Sequence, residues 1–255
     1  MSDMTRRRFG AITGGLVGSL LGGGGCHSGG EVSGTAAGRL AARPLSNVAT
    51  SAAPGARLLG LDRSRDAILY VPGTTDALLP LLVLFHGAGG SGERLLRRFM
   101  PEAETAGVAL LAPDSRASTW DAIGGSFGRD VAFVDRALER VFATVAVDSS
   151  RVGAGGFSDG ATYALSLGLI NGDLFHTVIA CSPGFVVDGP MQGTPKIFVS
   201  HGTEDQILPI NRCSRVIVPA LRRRGYDVTF REFEGGHEVP AEIAREGLRL
   251  VAGGG

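Results

Sequence analysis

From Arg57 onward the chain alternates between two hydrophobic rhythms. Apolar runs of strand length occur at 67–72 (AILYVP), 79–87 (LPLLVLFHG), 107–114 (GVALLAPD), 151–158 (RVGAGGFS), 176–183 (HTVIACSP), 195–202 (PKIFVSHG) and 226–233 (YDVTFREF). Between them, apolar residues recur at helical spacing over about 93–106, 129–145, 159–170, 211–224 and 239–250. Apolar strands that alternate with helices predict an α/β fold, a mostly parallel sheet covered on both faces with right-handed crossovers. The connections are short, which leaves no long apolar insertion to serve as a lid. No internal repeat is visible.

The pattern stops short of the N-terminus. Residues 27–55 are rich in Gly, Ala, Ser and Thr without periodicity and read as a flexible tether. Before them, Thr5-Arg6-Arg7-Arg8-Phe9 opens a glycine-diluted apolar stretch that ends at Cys26. This segment resembles a twin-arginine export signal, with Cys26 as a lipidation candidate. The division is therefore 1–26 export signal, 27–55 tether and 56–255 folded domain. The resemblance implies an exported protein: periplasmic, extracellular, or tethered to a membrane through its N-terminus.

Composition narrows the function classes. The chain has 255 residues, 44% hydrophobic and 20% charged, enough apolar material for a sizeable core. Formal net charge is zero, so there is no general electrostatic case for a nucleic-acid partner. Three cysteines, Cys26, Cys181 and Cys213, make no disulfide framework and no C-x-x-C metal pattern. Cys181 and Cys213 read as two buried thiols, with a disulfide between them as the alternative in an exported protein.

Two stretches match G-x-S-x-G, centred on Ser126 (GGSFG) and Ser158 (GFSDG). A nucleophilic serine needs a buried strand before it and a helix after it. Ser126 follows the polar turn sequence RASTWDAIGG and lacks the strand. Ser158 follows RVGAGGF and precedes the apolar ATYALSLGLI, so it has both. A serine hydroxyl also needs a base, and the base an orienting carboxylate. His237, in FEGGHEVP, follows the last strand-like run. Asp205, in HGTEDQILP, lies between serine and histidine in the chain and just past another strand; it is preferred over the adjacent Glu204. Backbone amides of Asp159 and of Ala88, in LFHGAGGSG, are the candidate donors to an oxyanion. His86 and the loop from Asp114 to Gly128, with Trp120 and Phe127, are candidates for the substrate pocket.

These motifs have a family likeness. LFHGAGG, GGFSDGATYALSLG, HGTEDQILPI and FEGGHEVP resemble the oxyanion, nucleophile, acid and histidine motifs of the α/β-hydrolase superfamily, most closely its small phospholipase/carboxylesterase group. The resemblance implies a three-layer fold with little or no lid, and catalysis by Ser158, Asp205 and His237 without a cofactor. It also implies a small ester or acyl-lipid substrate. A weaker resemblance runs to exported polyester depolymerases and feruloyl esterases. A peptidase on the same machinery, or a binding protein on an inactive hydrolase scaffold, is the competing reading. Asp159 departs from the neutral residue such esterases often carry after the nucleophile. The 114–128 loop departs from the group's usual pattern too. Acyl and alcohol specificity and oligomeric state are not encoded in any motif.

Overall fold

The computed structural model describes residues 38–46, 48, 53–73 and 78–253. The proposed signal and Cys26 lie outside this range. Eight strands form one sheet: β1 (Gly55–Leu58), β2 (Ala67–Val71), β3 (Leu79–Phe85), β4 (Ala109–Pro113), β5 (Val147–Phe157), β6 (Thr177–Cys181), β7 (Lys196–Gly202) and β8 (Val228–Phe233). Their spatial order is β1-β2-β4-β3-β5-β6-β7-β8. The β1–β2 and β2–β4 pairs are antiparallel, and the six strands from β4 to β8 across the sheet are parallel. Among the described residues, four α-helices lie between strands, α1 (Gly92–Ala106), α2 (Arg129–Thr144), α3 (Asp159–Ile170) and α4 (Ser214–Arg223), and α5 (Ala241–Ala252) follows β8. Among the described residues, no helix is long and apolar enough to cross a membrane.

The period-2 geometry of a strand sends alternate side chains to opposite faces. In β3, Leu81, Val83 and Phe85 join the layer that packs under α2 and α3, whereas Leu82 and Leu84 face α1 and α5. Both sets are fully buried, which is why β3 reads as an unbroken apolar run. Helix α3 is buried from Gly160 to Ile170. Tyr163, Ala164 and Leu167 meet the α2 side, while Ala161, Leu165 and Leu169 meet α4. A helix apolar all round has no solvent face to present and needs this enclosure.

One expectation is corrected in part. Residues 38–46, assigned to the tether, pack on the folded domain. Leu40 is 2% exposed. Its amide donates to Asn171 Oδ1 at 2.9 Å, and the Ala41 and Ala42 amides donate to Asp135 Oδ1 at 2.8 and 2.9 Å. Arg39 and Arg43 both bind the Asp173 carboxylate, and together they hold it well below the usual carboxylate range. Backbone amides held by side chains leave no periodic trace in a sequence, so composition alone reads such a strap as loose chain.

Candidate active site

Parallel strands deliver their following loops to one edge of the sheet, the carboxyl edge, where ligands bind in open α/β folds. Ser158 follows β5, Asp205 follows β7 and His237 follows β8. These three side chains come together. His237 Nε2 lies 2.8 Å from Ser158 Oγ, and His237 Nδ1 lies 2.6 Å from Asp205 Oδ2. The carboxylate only accepts, so Nδ1 carries a proton and Nε2 faces the serine hydroxyl with its lone pair.

The serine is held in a costly backbone conformation. Its φ of 59° and ψ of −124° lie outside the regions that residues with a side chain prefer. Its amide donates to Cys181 O at 3.0 Å. It occupies the N-cap position of α3, yet its hydroxyl caps no helix amide. The ordinary use of a serine in this position is therefore absent, and the hydroxyl is turned to His237. Two glycines make the turn passable. A Cβ on Gly160 would sit 1.9 Å from Phe85 O, and one on Gly156 would sit 2.2 Å from Gly160 O. Both clashes are with backbone, which cannot rotate aside. Gly160→Ala is expected to destabilise the protein by about 3 kcal/mol or more, read from urea unfolding. A loss under about 1 kcal/mol would mean that the turn relaxes to admit a side chain.

Asp205 is 5% exposed. Burial works to raise its pKa, but the hydrogen bonds from His237 and from the Leu208 and Ile207 amides outweigh it and hold the group ionised below its ordinary value. Those amides donate to Oδ1 at 2.8 and 2.9 Å, leaving Oδ2 for His237. Glu204 is exposed and does not join the site. Ser126 is also exposed, on the loop before α2.

The loop after β3 passes close to the serine: a Cβ on Gly87 would lie 3.2 Å from Ser158 Cβ. Ala88 is exposed, and neither its amide nor that of Asp159 donates to another backbone group among the described residues. Asp159 opens α3, so its amide is one of the free first-turn donors of a helix. Its carboxylate accepts a hydrogen bond from the Thr119 hydroxyl at 2.6 Å. That bond ties the negative charge to the 114–120 loop.

The same loop braces both amides from behind. Ser115 N donates to His86 Nε2 at 3.0 Å, which leaves the His86 proton on Nδ1, donated to Gly87 O at 2.8 Å. Gly89 N donates to Ser118 O at 2.7 Å, and Trp120 Nε1 to His86 O at 2.7 Å. The pocket expectation changes accordingly. His86 borders the cleft but is 2% exposed and kept neutral by burial, so it is a brace. Trp120, 1% exposed, stacks on Tyr163 and meets the edge of Phe85. Phe127 packs toward Tyr163 as well. Neither aromatic lines the cleft beside His237. That cleft, about 740 Å³, is bounded by Ala88, by Arg94, Leu95 and Arg98 of α1, by Phe157 and by Val239. Sequence reasoning missed α1 because an amphipathic helix gives no sign of which neighbour borders its exposed flank.

Cys181 and Cys213 are both free and buried, so the disulfide alternative is excluded. Burial pushes the Cys181 thiol up to about 11. His176 is exposed. His201, which in the sequence reads only as the end of a strand, is fully buried and lies beside Asp205, with Nε2 3.2 Å from Oδ2.

A mostly parallel sheet between two helical layers, with serine, acid and histidine on the loops after β5, β7 and β8, is the architecture of the α/β-hydrolase fold. Solved structures share this fold. S-formylglutathione hydrolase FrmB from Staphylococcus aureus superposes with a TM-score of 0.63 at 15% identity, covering 80% of this chain and 99% of that one. A carboxylesterase from Bacillus cereus gives 0.57 at 20% identity, covering 75% and 95%. Residues 121–246 match the phospholipase/carboxylesterase family model, a stretch that contains Ser158, Asp205 and His237. Among curated proteins, the probable feruloyl esterase C of Aspergillus niger is 29% identical over 157 residues, 58% of this chain and 57% of that protein. The chain thus spans a little over half the length of the curated relatives it matches.

Proposed function

We propose that the protein is a serine carboxylic-ester hydrolase. The observation that carries this reading is the Ser158–His237–Asp205 chain of hydrogen bonds, at 2.8 and 2.6 Å, on a serine hydroxyl that caps nothing. Ser158 Oγ attacks the ester carbonyl carbon while His237 Nε2 takes its proton, and Asp205 stabilises the imidazolium. The oxyanion is held by the Ala88 and Asp159 amides. The intermediate collapses as His237 gives its proton to the leaving alkoxide, which departs as alcohol and leaves an acyl group on Ser158. Water, deprotonated by His237, attacks that acyl group. The second oxyanion collapses, and the proton returns to Ser158 as the carboxylic acid leaves.

Within this class we place the substrate among esters of compact acids, aromatic ones included. The cleft has an apolar wall of Leu95, Phe157 and Val239 and a polar rim carrying Arg94 and Arg98. Such a rim suits an acyl group with polar substituents better than a long alkyl chain. The relatives named as feruloyl esterases agree with that preference. The N-terminal pattern supports export, with Cys26 as the point of lipid attachment.

The test is covalent. A fluorophosphonate should add a single phosphonyl group to the protein, mapped by peptide mass spectrometry to Ser158, with parallel loss of p-nitrophenyl acetate and methyl ferulate hydrolysis. Label on Ser126, or full hydrolysis by stoichiometrically labelled protein, would overturn the assignment.

A further inference from the structure

His201 is the buried titratable group nearest the proposed acid that the reaction above does not use. It sits near the end of β7 with 0% exposure. Nε2 faces two groups that can only accept: Leu208 O at 2.7 Å and Asp205 Oδ2 at 3.2 Å. Nε2 must therefore carry the proton. Nδ1, 2.7 Å from Ser214 Oγ at the start of α4, is then an acceptor from that hydroxyl. Burial lowers the His201 pKa and keeps the ring neutral. The ring orientation is fixed at both nitrogens.

Asp205 Oδ2 consequently lies between two histidine N–H groups, His237 Nδ1 at 2.6 Å and His201 Nε2 at 3.2 Å. The shorter contact is the stronger bond. The longer one places a fixed positive dipole against the oxygen that polarises His237. Through Leu208 O, the same N–H also anchors the far end of the loop whose amides hold Oδ1. We infer that His201 is a positioning residue for Asp205: it aims the carboxylate and moderates the negative charge that His237 feels. This rests on the triad reading above.

Without the His201 N–H, Oδ2 becomes a stronger partner for the imidazolium. The acid limb of the kcat/KM–pH profile, which reports the Asp205–His237 pair, then moves to higher pH. The other ionisable groups facing His201 and Asp205 are Glu232, the β8 register partner of His201, and Cys213. Glu232 is held by Arg215, and the Cys213 thiol is pushed up by burial, then by Asp205. A Glu232→Gln control should leave the limb in place.

The experiment compares pH profiles of p-nitrophenyl acetate hydrolysis for three variants. His201→Leu should lower kcat by about 10–100-fold, as loss of a ligand-orienting neighbour does at metal sites, with little change in KM. Its acid limb should move up in pH. His201→Gln, which keeps an N–H near Leu208 O, should recover part of both effects. Ser214→Ala, which leaves the ring but frees its tautomer, should move the limb the same way by less. If His201→Leu does not fold, the other two carry the test. Unmoved acid limbs in every folded variant, in a protein whose activity still requires Ser158, would overturn the inference alone. Activity independent of Ser158 would instead remove the triad reading beneath it.

Discussion

Ser158→Ala should lower kcat toward p-nitrophenyl acetate by about 10⁵–10⁶-fold with KM changed only a few-fold, the scale seen when a triad nucleophile is removed elsewhere. In the proposed reaction the hydroxyl is the atom that bonds to the acyl carbon, so no neighbouring group replaces it. The Ala88 and Asp159 amides remain, and a residual rate of about 10³–10⁴ over water is expected from them and from binding. Folding should be nearly unaffected. The strained φ of 59° belongs to the backbone turn, and alanine carries the same Cβ into it. The Ser158 amide still donates to Cys181 O. Single-turnover kinetics with purified variant, alongside urea unfolding, separates chemistry from stability. A variant retaining more than about one per cent of the parent kcat would be incompatible with the covalent mechanism.

Asp205→Asn should cost about 10⁴-fold in kcat, and the hydrogen-bond pattern says why. The Oδ1 position accepts from the Ile207 and Leu208 amides, so an asparagine must keep its carbonyl oxygen there. Its NH₂ group then occupies the Oδ2 position and points at His237 Nδ1. A donor facing Nδ1 forces the imidazole into the tautomer with its proton on Nε2. That nitrogen is the one beside Ser158 Oγ, and once protonated it cannot accept the serine proton. The size of the loss is that of the same substitution in a serine protease, where the tautomer is reversed in the same way. The amide would also meet the His201 N–H, so a modest loss of stability should accompany the kinetic effect. An Asp205→Asn variant with kcat within about tenfold of the parent would show that the carboxylate does not set the tautomer.

Much of this site was legible from residue order. The α3 limits of 159–170 follow from an apolar segment that begins directly after a glycine-bracketed serine. The strand runs located seven of the eight strands. The missing one, β1, is four residues long with alternate positions only half-buried, and its antiparallel pairing with β2 gives it no apolar run to betray it. Strand β5 begins at Val147, earlier than its apolar run, because the polar stretch Asp148–Arg151 is carried in the strand across a register shift beside β3.

By itself the sequence determined the α/β architecture, the placing of Ser158 rather than Ser126 between a buried strand and a helix, and the chain order of the candidate serine, acid and histidine. Each of these is a local property, set by burial periodicity, by glycines at a tight turn, or by a polar residue just past an apolar strand. The direction of individual side chains was decided only by the tertiary structure. Trp120 and Phe127 turned into the core because Phe85 and Tyr163 offered them an apolar face there. Leu40 and Arg39 bound residues more than 130 positions away, so the 38–46 strap left no local signal. His201 came beside Asp205 because the loop after β7 folds back on its own strand. A loop contact of that kind follows from the closed path of the backbone, which no run of neighbouring residues specifies.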